Sequence, residues 1–188
     1  LDALAAKGEL VTITKPADTY LEITEISDRA VKEGRPALLF THPGQSHIPL
    51  VQNMFASEKR MAMALNVDSL DDLGHRVRQL LQTRPPSSWA GRFQLLGQLL
   101  EAAKFPPKNV RKAPVQEVIL RENDASLDLL PVITCWPEDG GPYITLPQVI
   151  TKDPDTGLRN VGMYRMQKFD ARSTGMHWQR HKHGAFHF

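Results

Sequence analysis

Apolar positions in the first hundred residues alternate between short β-branched runs and stripes at helical spacing. Residues 10–14 form a β-branched run after Gly8, which predicts a strand. Ile23, Ile26, Ala30 and Val31 recur at helical spacing, and Gly34 follows as a C-cap. Residues 37–40 predict a buried strand stopped by the Pro43-Gly44 turn, and residues 48–52 predict another. Ser57 is placed to cap a helix through Leu65. Ser69 caps a second helix, with Asp72 three residues on in a variant of the capping box. That helix carries Leu73, Val77, Leu80 and Leu81 on one face until Pro85-Pro86 ends the pattern. A third helix is expected over 89–103, with Phe93, Leu96, Leu99, Leu100 and Ala103 as its stripe. All these stripes predict core.

Residues 104–114 carry three prolines and four basic residues, which marks a boundary. The expected division is an N-terminal α/β domain over 1–112 and a second domain over 113–188. The texture beyond it is β. Residues 115–120 predict a strand, and 144–152 and 160–169 predict two more around the turn Asp153-Pro154-Asp155-Thr156-Gly157. A second turn over 170–175 leads into 176–180. The whole is α+β, its second part an antiparallel meander that opens a barrel or sandwich. The chain begins at Leu1 in a helix-like stretch and stops at Phe188 without a closing strand, so a longer parent sequence is expected.

Composition narrows the function classes. A net charge of +2 and scattered basic residues lack the footprint of a nucleic-acid binder. The cluster Lys104, Lys108, Arg111 and Lys112 is expected to be a solvated linker. The single cysteine, Cys135, cannot form an internal disulfide, and its flanks predict a small buried hydrophobe. No apolar run approaches the ~20 residues of a bilayer span. A cytoplasmic location is the expectation.

Four of the seven histidines fall at His177, His181, His183 and His187. Imidazole is a common transition-metal ligand, yet a histidine-rich end can equally be a solvated tail. On a strand His181 and His183 would share a face. Asn160 and Arg165 are an odd number of residues apart, so a regular strand sends them to opposite faces. They could meet one ligand only across a bulge or bend; otherwise Asn160 ends a turn and Arg165 forms a surface pair. Gly140-Gly141 lets backbone approach a ligand closely, but no G-x-G-x-x-G fingerprint occurs.

Several segments, taken in order, span nearly the whole chain. They are Leu21-Glu22-Ile23-Thr24-Glu25-Ile26, Pro36-Ala37-Leu38-Leu39-Phe40 and Lys104-Phe105-Pro106-Pro107. Leu130-Pro131-Val132-Ile133-Thr134-Cys135-Trp136-Pro137 and Tyr143-Ile144-Thr145-Leu146-Pro147 follow. Asn160-Val161-Gly162-Met163-Tyr164-Arg165-Met166-Gln167 and Gly175-Met176-His177-Trp178-Gln179-Arg180-His181-Lys182 complete the series. Together they resemble the UbiD family of decarboxylases.

The resemblance implies an N-terminal α/β domain followed by the start of a flavin-binding split β-barrel. It implies prenylated FMN, bound through its phosphate to a divalent metal, manganese or another divalent cation, with K+ as a further ion. Asn160 matches the metal-binding Asn, and His181 is the best match for the His; the matching Glu is expected downstream. Flavin contacts carry over to Met163, Tyr164, Arg165, His177, Trp178 and Gln179, and also to Lys182 and His183. Arg165 matches the arginine of a Glu-Arg-Glu catalytic network, both of whose carboxylates are expected downstream. The implied substrate is an aromatic or α,β-unsaturated acid, polyprenyl-hydroxybenzoate or a naphthoate of quinone biosynthesis among them. A flavin prenyltransferase would supply the cofactor, the assembly would be a homo-oligomer, and a polyprenylated substrate would bring the protein to the membrane surface. The competing readings are a flavin- or metal-binding module without turnover and an assembly domain with exposed histidines.

Overall fold

The computed structural model describes residues 1–82 and 109–188, so the helix expected over 89–103 and the first part of the 104–114 linker, 104–108, lie outside the described residues. Helix α1 (Asp2–Ala6) gives way at Gly8, φ 69°, to β1 (Leu10–Ile13). Helix α2 (Glu22–Lys32) then leads to β2 (Ala37–Phe40) and β3 (Leu50–Gln52). The sheet order is β1-β2-β3. Leu10 pairs with Ala37 in a parallel ladder, and Phe40 pairs with Leu50 in an antiparallel one. Strand β2 is central because Ala37, Leu38 and Phe40 are apolar and buried on both of its faces.

Helix α2 is rotated from the expected stripe. Ile23, Ser27 and Ala30 are buried, whereas Val31 is exposed. Ser27 is tolerated inside because its hydroxyl donates to the Ile23 carbonyl at 2.7 Å. Ile133 completes this core beside Ala17, Ile23, Leu38 and Phe40, with Cys135 packed against it as a half-buried small hydrophobe. The segment around Ile133 is tied down by backbone bonds from Thr134 to Thr19 and from Leu21 to Thr134.

Helix α3 (Glu58–Leu65) opens with the Arg60 N–H donating to Ser57 Oγ. Helix α4 (Leu70–Gln82) opens with the full reciprocal box, Ser69 N–H to Asp72 and Asp72 N–H to Ser69. On α4, Leu73 is half-buried and Val77 exposed, short of the core stripe expected at these two positions, and the side chains of Leu80 and Leu81 lie outside the described residues.

The second half is β, in shorter pieces than expected. Strands β4 (Tyr143–Ile144) and β5 (Gln148–Lys152) replace one continuous strand, broken at Leu146-Pro147, where proline has no N–H for a ladder. Strands β6 (Arg159–Met163) and β7 (Met166–Lys168) replace another, broken at Tyr164-Arg165. Strand β8 (Thr174–Met176) and helix α5 (His183–Phe186) follow. Residues 115–120 do not form the expected strand. They start in a 3-10 turn at Pro114–Gln116, and Val115, Val118 and Ile119 are exposed, with no ladder partner among the described residues. Two sheets result, β4-β7-β8 and the hairpin β5-β6, and no closed barrel forms among the described residues. Asp153 shapes the hairpin turn by accepting the Asp155 and Thr156 N–H groups, and Gly157 supplies φ 71°. Contacts divide the chain into two compact units, residues 1–61 with 122–188, and residues 62–121. No helix among the described residues is long and apolar enough to cross a membrane.

Arg60 is the buried charge of the first unit, its side chain 3% exposed. Nη1 donates to Glu9 at 2.9 Å and to the Arg35 carbonyl. Glu9 also accepts from Lys59. The hydrogen bond from Lys59, then that from Arg60, holds the Glu9 carboxyl below its ordinary value of 4.5. A depressed carboxylate contributes stability above its unfolded pKa and loses it as pH falls through the folded one. Glu9→Gln leaves Arg60 buried without its counter-charge and is expected to cost roughly 1–3 kcal/mol at pH 7. Denaturant midpoints of parent and variant should converge as pH drops below 4.5; a gap that ignores pH would contradict the pairing.

Candidate functional site

Tyr164 breaks the β6–β7 strand and is buried. Its hydroxyl accepts the Gly184 N–H at 2.7 Å and the Asn160 side-chain amide at 3.4 Å. Its ring fills the space that side chains at two glycines would need: a Cβ at Gly162 would fall 2.3 Å from it, and one at Gly184 2.6 Å. Trp178 packs against it, ring centres 5.8 Å apart, and the solvent-exposed Phe188 ring has its centre 5.6 Å from that of Trp178. Helix α5 thereby lies against β6.

Asn160 is half-buried on β6, opposite Thr151 of β5. Its amide nitrogen donates to Thr151 Oγ1 at 3.4 Å as well as to Tyr164. Both N–H groups are thus engaged, and the carbonyl oxygen is the atom offered to a ligand. The Thr151 hydroxyl, which accepts from Asn160, is also hydrogen-bonded to His187 Nδ1 at 2.9 Å. The other ring nitrogen, Nε2, lies 3.9 Å from the Asp153 carboxylate. Hydrogen bonds from the Thr156 and Asp155 backbone hold Asp153 below the usual carboxylate range. Thr151 is not singled out by the sequence, which offers His187 only as a member of the C-terminal histidine cluster. The period-two alternation that puts Thr151 and Asn160 on one face was the available signal for Thr151.

The chain bend at Tyr164 presents Arg165 on the β4-β7-β8 sheet. The His177 N–H donates to the Arg165 carbonyl at 3.0 Å, carrying the β7–β8 pairing one step beyond the strands. Arg165, Gln167 and His177 therefore share a face, with Tyr143 opposite Gln167. Arg165 and His177 are exposed.

The remaining expected site residues distribute unevenly. Met163 is exposed at the end of β6, 64% accessible, on the strand face opposite Asn160. Trp178 and Gln179 follow His177 outside any strand. His181 and Lys182 are exposed just before α5, and His183 opens that helix. The same-face strand geometry considered for His181 and His183 does not occur, because this segment turns into a helix. Strand β6 pairs with β5 and not β8, so no ladder carries the segment before His181 alongside Asn160. The structure gathers Asn160, Tyr164, Trp178 and α5 into one cluster and Arg165 with His177 on one sheet face. Among the described residues no three His, Cys, Asp or Glu side chains are grouped to hold a metal. Gly140 and Gly141 serve a close approach of another kind than the ligand contact considered for them: the Gly140 carbonyl accepts from Gln167 Nε2 at 2.7 Å.

Two family models match the chain, the 3-octaprenyl-4-hydroxybenzoate carboxy-lyase N-terminal domain over residues 1–77 and the Rift-related domain of the same enzyme over 108–188. An uncharacterized protein of Archaeoglobus fulgidus is 48% identical over 98% of this chain and 37% of its own length. The UbiD-class enzyme HmfF from Pelotomaculum thermopropionicum, solved with FMN, superposes with a TM-score of 0.73 at 28% identity. That match covers 98% of this chain and 37% of HmfF. An evolved dimeric form of HmfF, solved with prFMN, gives 0.69 at 30% identity over 95% of this chain and 37% of that one. The chain belongs to the UbiD family and corresponds to the N-terminal part of these proteins, spanning a little over a third of their length.

The packing of Tyr164 is open to test. Tyr164→Phe removes the acceptor of a buried N–H and is expected to cost about 1–3 kcal/mol in the full-length protein. Gly184→Ala should cost at least as much, since its methyl would fall 2.6 Å from Tyr164 and 2.8 Å from Trp178. Chemical denaturation checks both; unchanged midpoints would contradict the packing described.

Proposed function

We propose that this chain is the N-terminal part of a decarboxylase acting on an aromatic or α,β-unsaturated acid with prenylated FMN. The observation that carries it is Arg165, exposed on a sheet face beside His177 within a family fold whose neighbours are solved with FMN and prFMN. A guanidinium stays charged at any working pH and meets a carboxylate through two parallel N–H groups. Arg165 would hold the substrate carboxylate until carbon dioxide leaves. A carboxylic acid beside it, expected beyond residue 188, would return the proton to carbon.

The flavin contacts belong to the same proposal: Met163, Arg165, His177, Trp178, Gln179, Lys182 and His183 by side chain or backbone, and Tyr164 by backbone, since its ring and hydroxyl are spent on packing. The bound prenylated flavin supplies the electron sink that the protein orients. Asn160 and His181 would ligate a divalent ion, manganese first, with a downstream Glu. The split barrel completed by later sequence, a homo-oligomeric assembly, a flavin prenyltransferase as supplier, K+ as a further ion, a role in quinone biosynthesis and a peripheral membrane contact stand on the family likeness alone. The domain division at 112 and 113 rests on the proline- and lysine-rich 104–114 stretch, and a cytoplasmic location on the single cysteine and the lack of a long apolar run.

Full-length protein reconstituted with prFMN should turn over at least one acid from a panel of benzoates, naphthoates and cinnamates, whereas plain FMN should give no turnover. Arg165→Met should lower kcat/KM by about a hundredfold or more. Equal turnover with either flavin would sink the proposal, and so would turnover in neither. The 188-residue chain alone should be inactive, lacking the downstream carboxylates.

Asn160→Ala should weaken Mn2+ binding by about tenfold or more, as expected for loss of one oxygen donor from a small shell. Calorimetric titration of Mn2+ into the full-length protein reads this directly, and unchanged affinity would remove Asn160 from the ligand set.

A further inference from the structure

Tyr143 faces Gln167 directly in the β4–β7 ladder. Arg165 lies two residues before Gln167, so its side chain is a diagonal neighbour of Tyr143 on the same face. The centre of the Arg165 guanidinium sits over the Tyr143 ring, 4.7 Å from its centroid. This is within the ~6 Å over which a cation is drawn to an aromatic face. The ring is itself held. Its hydroxyl donates to Gln167 Oε1 at 3.1 Å, and Gln167 Nε2 donates onward to the Gly140 carbonyl at 2.7 Å. A Cβ at position 140 would lie 2.9 Å from Gln167 Nε2, so a side chain there would displace the end of Gln167. The Gly140-Gly141 loop, Gln167, Tyr143 and Arg165 therefore form one chain of contacts from backbone to guanidinium.

An exposed arginine otherwise samples many rotamers, and each one not used for binding dilutes the productive one. A guanidinium drawn to a ring face is held at one place, and its N–H groups turned away from the ring remain for a carboxylate, which meets them edge-on. Lysine has no such planar fork, and a displaced arginine would not present it at that place.

We infer that Tyr143 is a positioning residue that fixes the plane of Arg165 for the substrate carboxylate, with Gln167 and Gly140 bracing the ring. The inference rests on the reading of Arg165 as the carboxylate-binding group. Its signature is electronic as well as steric. Fluorine withdraws charge from the face of an aromatic ring with little change in shape, so the grip weakens while the packing stays.

The test uses full-length enzyme with prFMN, the panel acid of highest kcat/KM as substrate, and benzoate as inhibitor. Position 143 carries Tyr, Phe, then mono-, di- and trifluorophenylalanine, with Tyr143→Leu at the end. KM and the benzoate Ki should rise stepwise with fluorine number and reach about tenfold in Tyr143→Leu, while kcat changes less than about twofold. Tyr143→Phe should fall between the parent and Tyr143→Leu, about two- to threefold from the parent, since it keeps the ring and loses only the bond to Gln167. A flat fluorine series would overturn the inference, and so would Tyr143→Phe as impaired as Tyr143→Leu. Arg165→Met, run alongside, separates the two levels. If its KM and Ki are unaltered, the carboxylate role of Arg165 falls and takes the inference with it. If they rise while the fluorine series is flat, the role of Tyr143 alone is refuted.

Discussion

Burial of the Tyr164 ring against two glycines is the constraint on which the rest of the C-terminal half depends. Gly162 and Gly184 have no room for a Cβ, and the Tyr164 hydroxyl takes up the Gly184 N–H, a buried donor that would otherwise be orphaned. A strand that must turn one side chain fully inward at this point cannot run on in register. Strand β6 ends at Met163 for that reason, and β7 begins afresh at Met166 with a different partner.

Two chemically distinct positions follow from the same break. Behind it, Asn160 faces inward, with its amide nitrogen occupied by Thr151 and Tyr164 and its oxygen left over. Beyond it, Arg165 joins the β4-β7-β8 sheet with its guanidinium over Tyr143. An oxygen donor and a fixed cation are what binding of a metal-anchored cofactor and of an acid would each require. The strand that would send these residues to opposite faces is interrupted between them, and they lie on either side of the break.

Much of this was legible in the sequence, and the failures share a cause. Short-range signals held: the Ser69–Asp72 box, the Asp153–Gly157 turn, the apolar run of β2 and the Asn160–Gln167 segment of the UbiD family. What failed depends on partners distant in the chain. Residues 115–120 have the composition of a strand, but a strand needs a ladder, and nothing local shows whether one exists. Ser27 is buried in place of Val31 because its hydroxyl finds the Ile23 carbonyl, a bond invisible to a hydrophobic stripe. In the site, Tyr143 stood within a segment of family likeness but carried no chemistry of its own; only the register Tyr143↔Gln167 brings it to Arg165. His187 likewise acquires partners only through the hairpin that presents Thr151 and Asp153.

The central claim is that Arg165 is the group that receives the acid. A crystal structure of the full-length protein with prFMN and a slowly reacting or non-reacting aromatic acid measures this directly. The account predicts the acid's carboxylate within hydrogen-bond distance of two Arg165 N–H groups, with the guanidinium still lying over Tyr143. A carboxylate bound to other residues, with Arg165 turned to solvent, would contradict it.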